Sequence, residues 1–172
     1  MEKGFLIFLI IFFLLHILRT VYSVLKYRNK ISSKSRPVFI STLFVMIAMW
    51  IIWFRMCEIE SGGIIIPGYL KLSGFILVII GVFLFVVSLV QLRGVENISR
   101  LVTNGLYSKI RHPMYLAMIS WIIGYPLFQE AKYTLFTSLF WIANILIWRY
   151  LEEKELIEKY DEYLIYKKRT FF

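Results

Sequence analysis

Five long apolar runs decide what this chain can fold into. They are GFLIFLIIFFLLHILRTVYSVL (4–25), VFISTLFVMIAMWIIWF (38–54), YLKLSGFILVIIGVFLFVVSLVQL (69–92), MYLAMISWIIGYPLF (114–128) and YTLFTSLFWIANILIWRYL (133–151). A bilayer core about 30 Å thick needs roughly 20 helical residues to cross it. The first, third and fifth runs meet that length and the second comes close. The fourth is short and carries Pro126, and only QEAK joins it to the fifth. These two therefore read as a tight helical hairpin whose first arm is kinked or tilted. The first run is too long for the core of a signal peptide, about 7–15 residues.

Composition agrees. Of 172 residues, 59% are hydrophobic, above the 45–50% or so of soluble domains. The mean hydropathy is +0.71. The net charge of +9 would suit nucleic acid, but the basic residues lie between apolar runs. That placement fits the cytoplasmic face of a membrane and its anionic lipids. A single cysteine, Cys57, excludes an internal disulfide and a cysteine-cluster metal site.

The loops set an orientation. KYRNKISSKSRP has five basic residues and no acidic one, whereas CEIESGGIIIPG has two glutamates and no basic residue. RGVENISRLVTNGLYSKIRHP is again basic. Basic loops stay cytoplasmic. The expectation is an all-α integral membrane bundle of five transmembrane helices, a single domain over 1–172, with the amino terminus outside and the carboxyl terminus cytosolic. Its spans are about 4–25, 38–54, 69–92, 113–128 and 133–151. The tail, 152–172, reads as a cytosolic amphipathic helix with Phe171 and Phe172 dipping into the interface. In the third span Gly74, Gly81 and Ser88 recur every seven residues and form a small-residue stripe for close helix packing.

Polar residues gather at two places. In GLYSKIRHPMY (105–115), Pro113 suits the first turn of a helix, so His112 sits at a helix start, where anions are favoured. Arg111 adds a positive fork, and Tyr107 and Tyr115 add aromatic surface with hydroxyls. The bland alternative is an interfacial anchor of aromatic rings and snorkelling cations. The second cluster is Trp141, Asn144, Trp148, Arg149, Glu152 and Glu153. Asn144, Trp148 and Glu152 share one helix face, and Arg149–Glu153 is spaced as an ion pair. An asparagine within a span needs an internal partner. The bland alternative here is a solvated helix end. His16 and Arg19, one turn apart in the first span, read as a bundle-facing histidine and a snorkelling arginine. Two histidines with no acidic clustering make a metal site unexpected, and no P-loop, GxSxG or GxGxxG occurs.

The two clusters in order, LVTNGLYSKIRHPMYLAM and then EEKELIEKYDEYLIYKKRT, resemble the isoprenylcysteine carboxyl methyltransferase and phospholipid methyltransferase superfamily. The likeness covers about the last 80 residues: Leu101 to Tyr107, Arg111 to Tyr115, Glu152 to Leu156, and Tyr163 to Tyr166. It implies a cytosolic pocket for S-adenosylmethionine, or its product S-adenosylhomocysteine, built from Gly105, Leu106, Tyr107, Arg111, His112, Pro113, Tyr115, Glu152 and Glu153. It also implies methyl transfer to a lipophilic acceptor from the bilayer, first of all an isoprenylcysteine-like carboxylate. Arg149 and Arg169 are the candidates for positioning that carboxylate. A phospholipid amine, a lipidic phenol or a small thiol are the alternatives; an amine or phenol would need a base such as a glutamate or His112. A nicotinamide-dependent membrane reductase and a non-enzymatic scaffold are the rivals from other classes. The expected partners are membrane lipids and a lipid-borne substrate, not nucleic acid.

Overall fold

The computed structural model describes residues 3–31, 35–92 and 101–172. Within them the chain is helical: α1 (Lys3–Tyr27), α2 (Arg36–Ile59), α3 (Gly68–Leu92), a 3₁₀ turn (Gly105–Ser108), α4 (Pro113–Gln129), α5 (Lys132–Lys159) and α6 (Tyr163–Arg169). Parts of the two basic loops, 32–34 and 93–100, lie outside the described residues, so the charge reading of those loops rests on sequence.

Four helices, α1, α2, α3 and α5, are long and apolar enough to cross a membrane. Their outward faces carry large exposed side chains such as Ile10, Leu14, Phe44, Phe83 and Phe136. Contiguous apolar surface on this scale needs lipid against it, and the chain is an integral membrane protein. The expectation of five spans is met for these four. α4 has 17 residues, about 25 Å at 1.5 Å per residue, and does not reach the length that a bilayer core asks of a single helix.

α4 is held along α3 by small residues. Gly74, Gly81 and Ser88 are buried on α3. A Cβ added to Gly74 would lie 2.7 Å from the Gly124 carbonyl oxygen, and one on Gly124 would lie 2.6 Å from that of Gly74. Gly81 meets the edge of the Trp121 ring, and the Trp121 indole donates to the Val78 carbonyl at 3.0 Å. Gly74 pairs with Gly124 and Gly81 with Trp121, so the two helices run antiparallel.

The core between α1, α2, α4 and α5 is aromatic. Phe12, Trp53 and Trp141 pack with ring centroids 5.1–5.7 Å apart, in the range where such pairs attract. Asn144 finds its partner in α1, where Thr20 donates to its Oδ1 at 2.8 Å. Trp148 Nε1 donates to the same Thr20 hydroxyl at 3.0 Å.

At one end of the bundle the glutamate-bearing loop does the capping. α5 begins after Ala131, which has no side chain to cap it. The Glu60 carboxylate accepts instead from the Thr134 amide at 2.8 Å and hydroxyl at 2.9 Å. This supplies from another segment the acceptor that a helix start requires.

The tail departs from its expected form. α5 continues without a break through Glu152 and Glu153 to Lys159, the chain turns at Tyr160–Glu162, and α6 is only seven residues long. There is no single amphipathic helix over 152–172, because the chain folds back onto the start of α4. Phe171 is exposed, but Phe172 lies against Arg149, whose guanidinium carbon is 4.5 Å from the ring centroid.

Candidate functional site

The site forms where three segments meet at the opposite end from Glu60. Gly105 opens the 3₁₀ turn at φ +60°, a conformation that favours glycine. A Cβ there would also strike the Gln91 side chain. The Leu106 amide donates to Gln91 Oε1 at 2.9 Å, which ties the turn to the end of α3 and buries Tyr107. Pro113 is the first residue of α4 and His112 precedes it.

The returning tail locks onto this segment by backbone. Arg111 N–H donates to the Phe171 carbonyl at 3.0 Å, His112 N–H to that of Phe172 at 3.2 Å, and Phe171 N–H to that of Lys109 at 2.7 Å. Side chains reinforce it. Arg111 Nε donates to Glu153 Oε1 at 3.1 Å, and its Nη1 donates to the Lys167 carbonyl at 3.0 Å and to that of Thr170. Lys167 Nζ donates to Glu153 Oε2. The Tyr166 hydroxyl donates to the Tyr107 carbonyl at 2.6 Å.

Glu153, only 7% exposed at its side chain, therefore joins α5 to α6 and to the segment that leads into α4. It lies beyond the apolar stretch of α5. The His112 ring edge, the Lys167 ammonium and the Arg111 guanidinium hold its carboxyl well below the usual carboxylate range, against the opposing effect of burial. The expected Arg149–Glu153 pair does not form. The helix spacing allows it, but Glu153 turns to two cations from other segments and Arg149 stacks on Phe172.

Beside this clamp a cleft of about 160 Å³ opens, with mostly apolar walls. α1 contributes Arg19 and Tyr22, the segment before α4 contributes Tyr107, Arg111 and His112, α4 contributes Tyr115 and Met118, α5 contributes Trp148, Glu152 and Leu156, and the tail contributes Tyr163 and Tyr166. His112 stacks on Tyr115 with ring centroids 5.5 Å apart. Its ring stands between two acids, with Nδ1 3.9 Å from Glu152 Oε2 and Nε2 3.4 Å from Glu153 Oε1. The Nε2 contact is not aligned as a hydrogen bond. That nitrogen and the Tyr163 hydroxyl are both buried with no hydrogen-bond partner among the described residues. Burial pushes the hydroxyls of Tyr107 and Tyr166 up to about 12 and that of Tyr163 further, so all three are neutral donors. Glu152 is 31% exposed and faces the cleft. The arrangement offers aromatic faces, neutral hydroxyls, one open carboxylate and cations to a ligand that is part polar and part apolar.

The residues singled out by sequence thus divide. Tyr107, Arg111, His112, Tyr115 and Glu152 line the cleft. Glu153 stands behind Arg111 and His112. Gly105, Leu106 and Pro113 shape the backbone without lining it, and neither Arg149 nor the exposed Arg169 lines it. Sequence reasoning did not place Arg19 and Tyr22 at the site. The available signal was a run of polar residues, His16, Arg19, Thr20 and Ser23, spaced along one side of an apolar helix. His16 is fully buried and its Nδ1 lies 2.8 Å from the Phe12 carbonyl. No group of metal-ligating side chains occurs among the described residues.

No curated protein and no solved structure matches this chain. Residues 70–163, from the start of α3 to the first residue of α6, match the family described as phospholipid methyltransferase. With more than half of its length matched, and with the cleft built mainly from that stretch, the chain belongs to the phospholipid methyltransferase family, within the superfamily that includes the isoprenylcysteine carboxyl methyltransferases, and is a membrane methyltransferase.

Proposed function

We propose that the cleft binds S-adenosylmethionine and that the chain methylates the carboxylate of a lipophilic, isoprenylcysteine-like acceptor. The observation that carries this reading is the cleft itself: one cavity joins the polar segment His112, Tyr115 and Glu152 to apolar helix walls. The residues present fit the ligand. His112 Nε2 and the Tyr163 hydroxyl are buried donors or acceptors awaiting a partner, which is costly unless a ligand or water completes them. Glu152 suits ribose hydroxyls or an amino group, and Tyr107, Tyr115 and Tyr166 offer ring surface.

When bound, S-adenosylmethionine supplies a methyl group on a sulfonium, so an acceptor carboxylate oxygen forms the new C–O bond as the C–S bond breaks, the electron pair stays on sulfur, and no proton moves. The protein's share of the work is then proximity and alignment. His112, Tyr115 and Glu152 hold the donor end, and the helix walls exclude water. A carboxylate acceptor asks no base of the site. The family description favours a second reading, a phospholipid amine, with Glu152 removing the proton.

In the same proposal α4 completes a fifth crossing, supported by its small-residue seam with α3 and by the contact of its far end with the loop after α2, where the Gly62 amide meets the Gln129 carbonyl at 3.0 Å. In this reading the basic loops and the cleft face the cytosol and the amino terminus lies outside.

Calorimetry with S-adenosylhomocysteine tests the donor site. Saturable binding is expected in wild type, weakened at least tenfold in His112→Ala; absence of binding by a folded wild type overturns the reading. Transfer of labelled methyl to farnesylated N-acetylcysteine or to phosphatidylethanolamine then separates the two acceptors.

A further inference from the structure

A second cavity, about 270 Å³, lies between α1 and α2. Its walls are apolar: Leu18, Val21 and Leu25 from α1, Val38 and Val45 from α2, and Ile31 between them. Ser41 and Thr42 also line it, but both hydroxyls already donate to the Val38 carbonyl at 2.9 Å. Among the described residues two polar side chains remain at this groove, Arg19 and Tyr22, and both also line the main cleft. They stand where the two cavities meet.

Neither is fully satisfied among the described residues. Arg19 has no carboxylate partner among the described residues. Its guanidinium lies over Trp148 and Tyr22, with the central carbon 4.9 and 5.2 Å from the ring centroids, and Nη1 donates to the Ser23 hydroxyl. Arg19 Nε and the Tyr22 hydroxyl are buried with no hydrogen-bond partner among the described residues. An arginine inside an apolar helix is costly, and one that faces a cavity marks a functional site by default. Trp148, against which it rests, is one turn along α5 from Glu152.

We infer that Arg19 and Tyr22 bind the carboxylate of the acceptor, and that the α1–α2 groove holds its hydrocarbon chain. This deepens the proposed methyl transfer and rests on it for the identity of the reaction, not for the existence of the site. A guanidinium edge and a phenol hydroxyl together make two charge-assisted bonds to one carboxylate. The groove supplies lipid-like surface beside the headgroup. Both elements lie outside the stretch matched to the family, so they would set this chain's own acceptor preference.

The test is equilibrium binding of N-acetyl-S-farnesylcysteine and of its methyl ester to the detergent-purified protein, with S-adenosylhomocysteine affinity measured beside it. Wild type is expected to prefer the free acid by at least about tenfold, the size of a charged hydrogen bond. Arg19→Gln should abolish that preference, and Tyr22→Phe, which removes only one oxygen, should reduce it. Val45→Trp, which fills the groove without touching the main cleft, should weaken acid and ester alike and leave S-adenosylhomocysteine affinity unchanged. A preference for the acid that survives Arg19→Gln, or binding indifferent to Val45→Trp, overturns the inference while leaving the methyl-donor site standing. Tighter binding of hexadecyl phosphate than of the farnesylated acid overturns the carboxylate assignment. Failure of wild type to bind S-adenosylhomocysteine, with the acid preference intact, instead removes the proposed function and keeps the anion site.

Discussion

Glu152 and Glu153 are neighbours on α5, yet they belong to different parts of the molecule. Glu153 is buried in a clamp where Arg111 and Lys167 take both its oxygens. Glu152 is partly exposed on the cleft, with its Oε2 3.9 Å from the His112 ring. Successive helix positions point about 100° apart, so adjacent residues face different surroundings. The clamp is closed on its own partners; the cleft wall presents its carboxylate to the cavity. A pair of acids that reads as one motif in sequence performs two tasks, one holding the tail and one facing the site.

This contrast can be broken from either side. The largest effect is expected from Glu153→Ala, which leaves Arg111 and Lys167 without their shared anion. Removing one member of a buried ionic cluster costs about 3–5 kcal/mol, read as a fall in the thermal midpoint of the detergent-solubilised protein; an unchanged midpoint would show that the clamp contributes nothing. The same carboxyl gives the clamp a pH dependence. Its folded value lies below its unfolded one, so its contribution is complete above the ordinary carboxylate range and is lost as pH falls through that range and below. Acid unfolding should therefore begin at lower pH in wild type than in Lys167→Met, whose Glu153 has lost one cation.

Gly124→Val comes next. Its side chain would meet the Gly74 carbonyl and the Leu77 side chain, and overpacking of this kind costs about 1–3 kcal/mol. Stability should drop with no change in ligand affinity per folded molecule. Glu152→Gln should do the reverse: S-adenosylhomocysteine affinity falls by about tenfold, the size of one charged hydrogen bond, while the thermal midpoint holds. Equal affinity in both forms would remove Glu152 from the site. The smallest effect is expected from Lys26→Ala. Its pair with Glu155 at 3.4 Å is partly exposed on the cleft rim, and such pairs are worth about 1 kcal/mol or less.

Much of this was legible in the residues. Apolar length located α1, α2, α3 and α5, since a helix must cover the hydrocarbon thickness whatever its neighbours are. The Gly74, Gly81 and Ser88 stripe announced a close helix seam, and the structure forms it with α4. Pro113 fixed where α4 begins, and the order of Arg-His-Pro-x-Tyr and Glu-Glu pointed to a methyltransferase site. The tail was misread as one amphipathic helix because its helical periodicity is genuine locally. It is interrupted at Tyr160–Glu162, where the chain turns before the short α6.

The sequence by itself determined the membrane class, the helices and the chemical types gathered at the site, because hydropathy, proline and glycine act over a few residues. Only the tertiary structure decided which glutamate faces the cleft, which cation Glu153 takes, and that Arg19 and Tyr22 of the first helix stand in the wall of a site built mainly from the last seventy residues. Those outcomes depend on contacts such as Arg111 with Glu153 and Thr20 with Asn144, between residues far apart in the chain. Helix packing sets such contacts, and no local pattern encodes them.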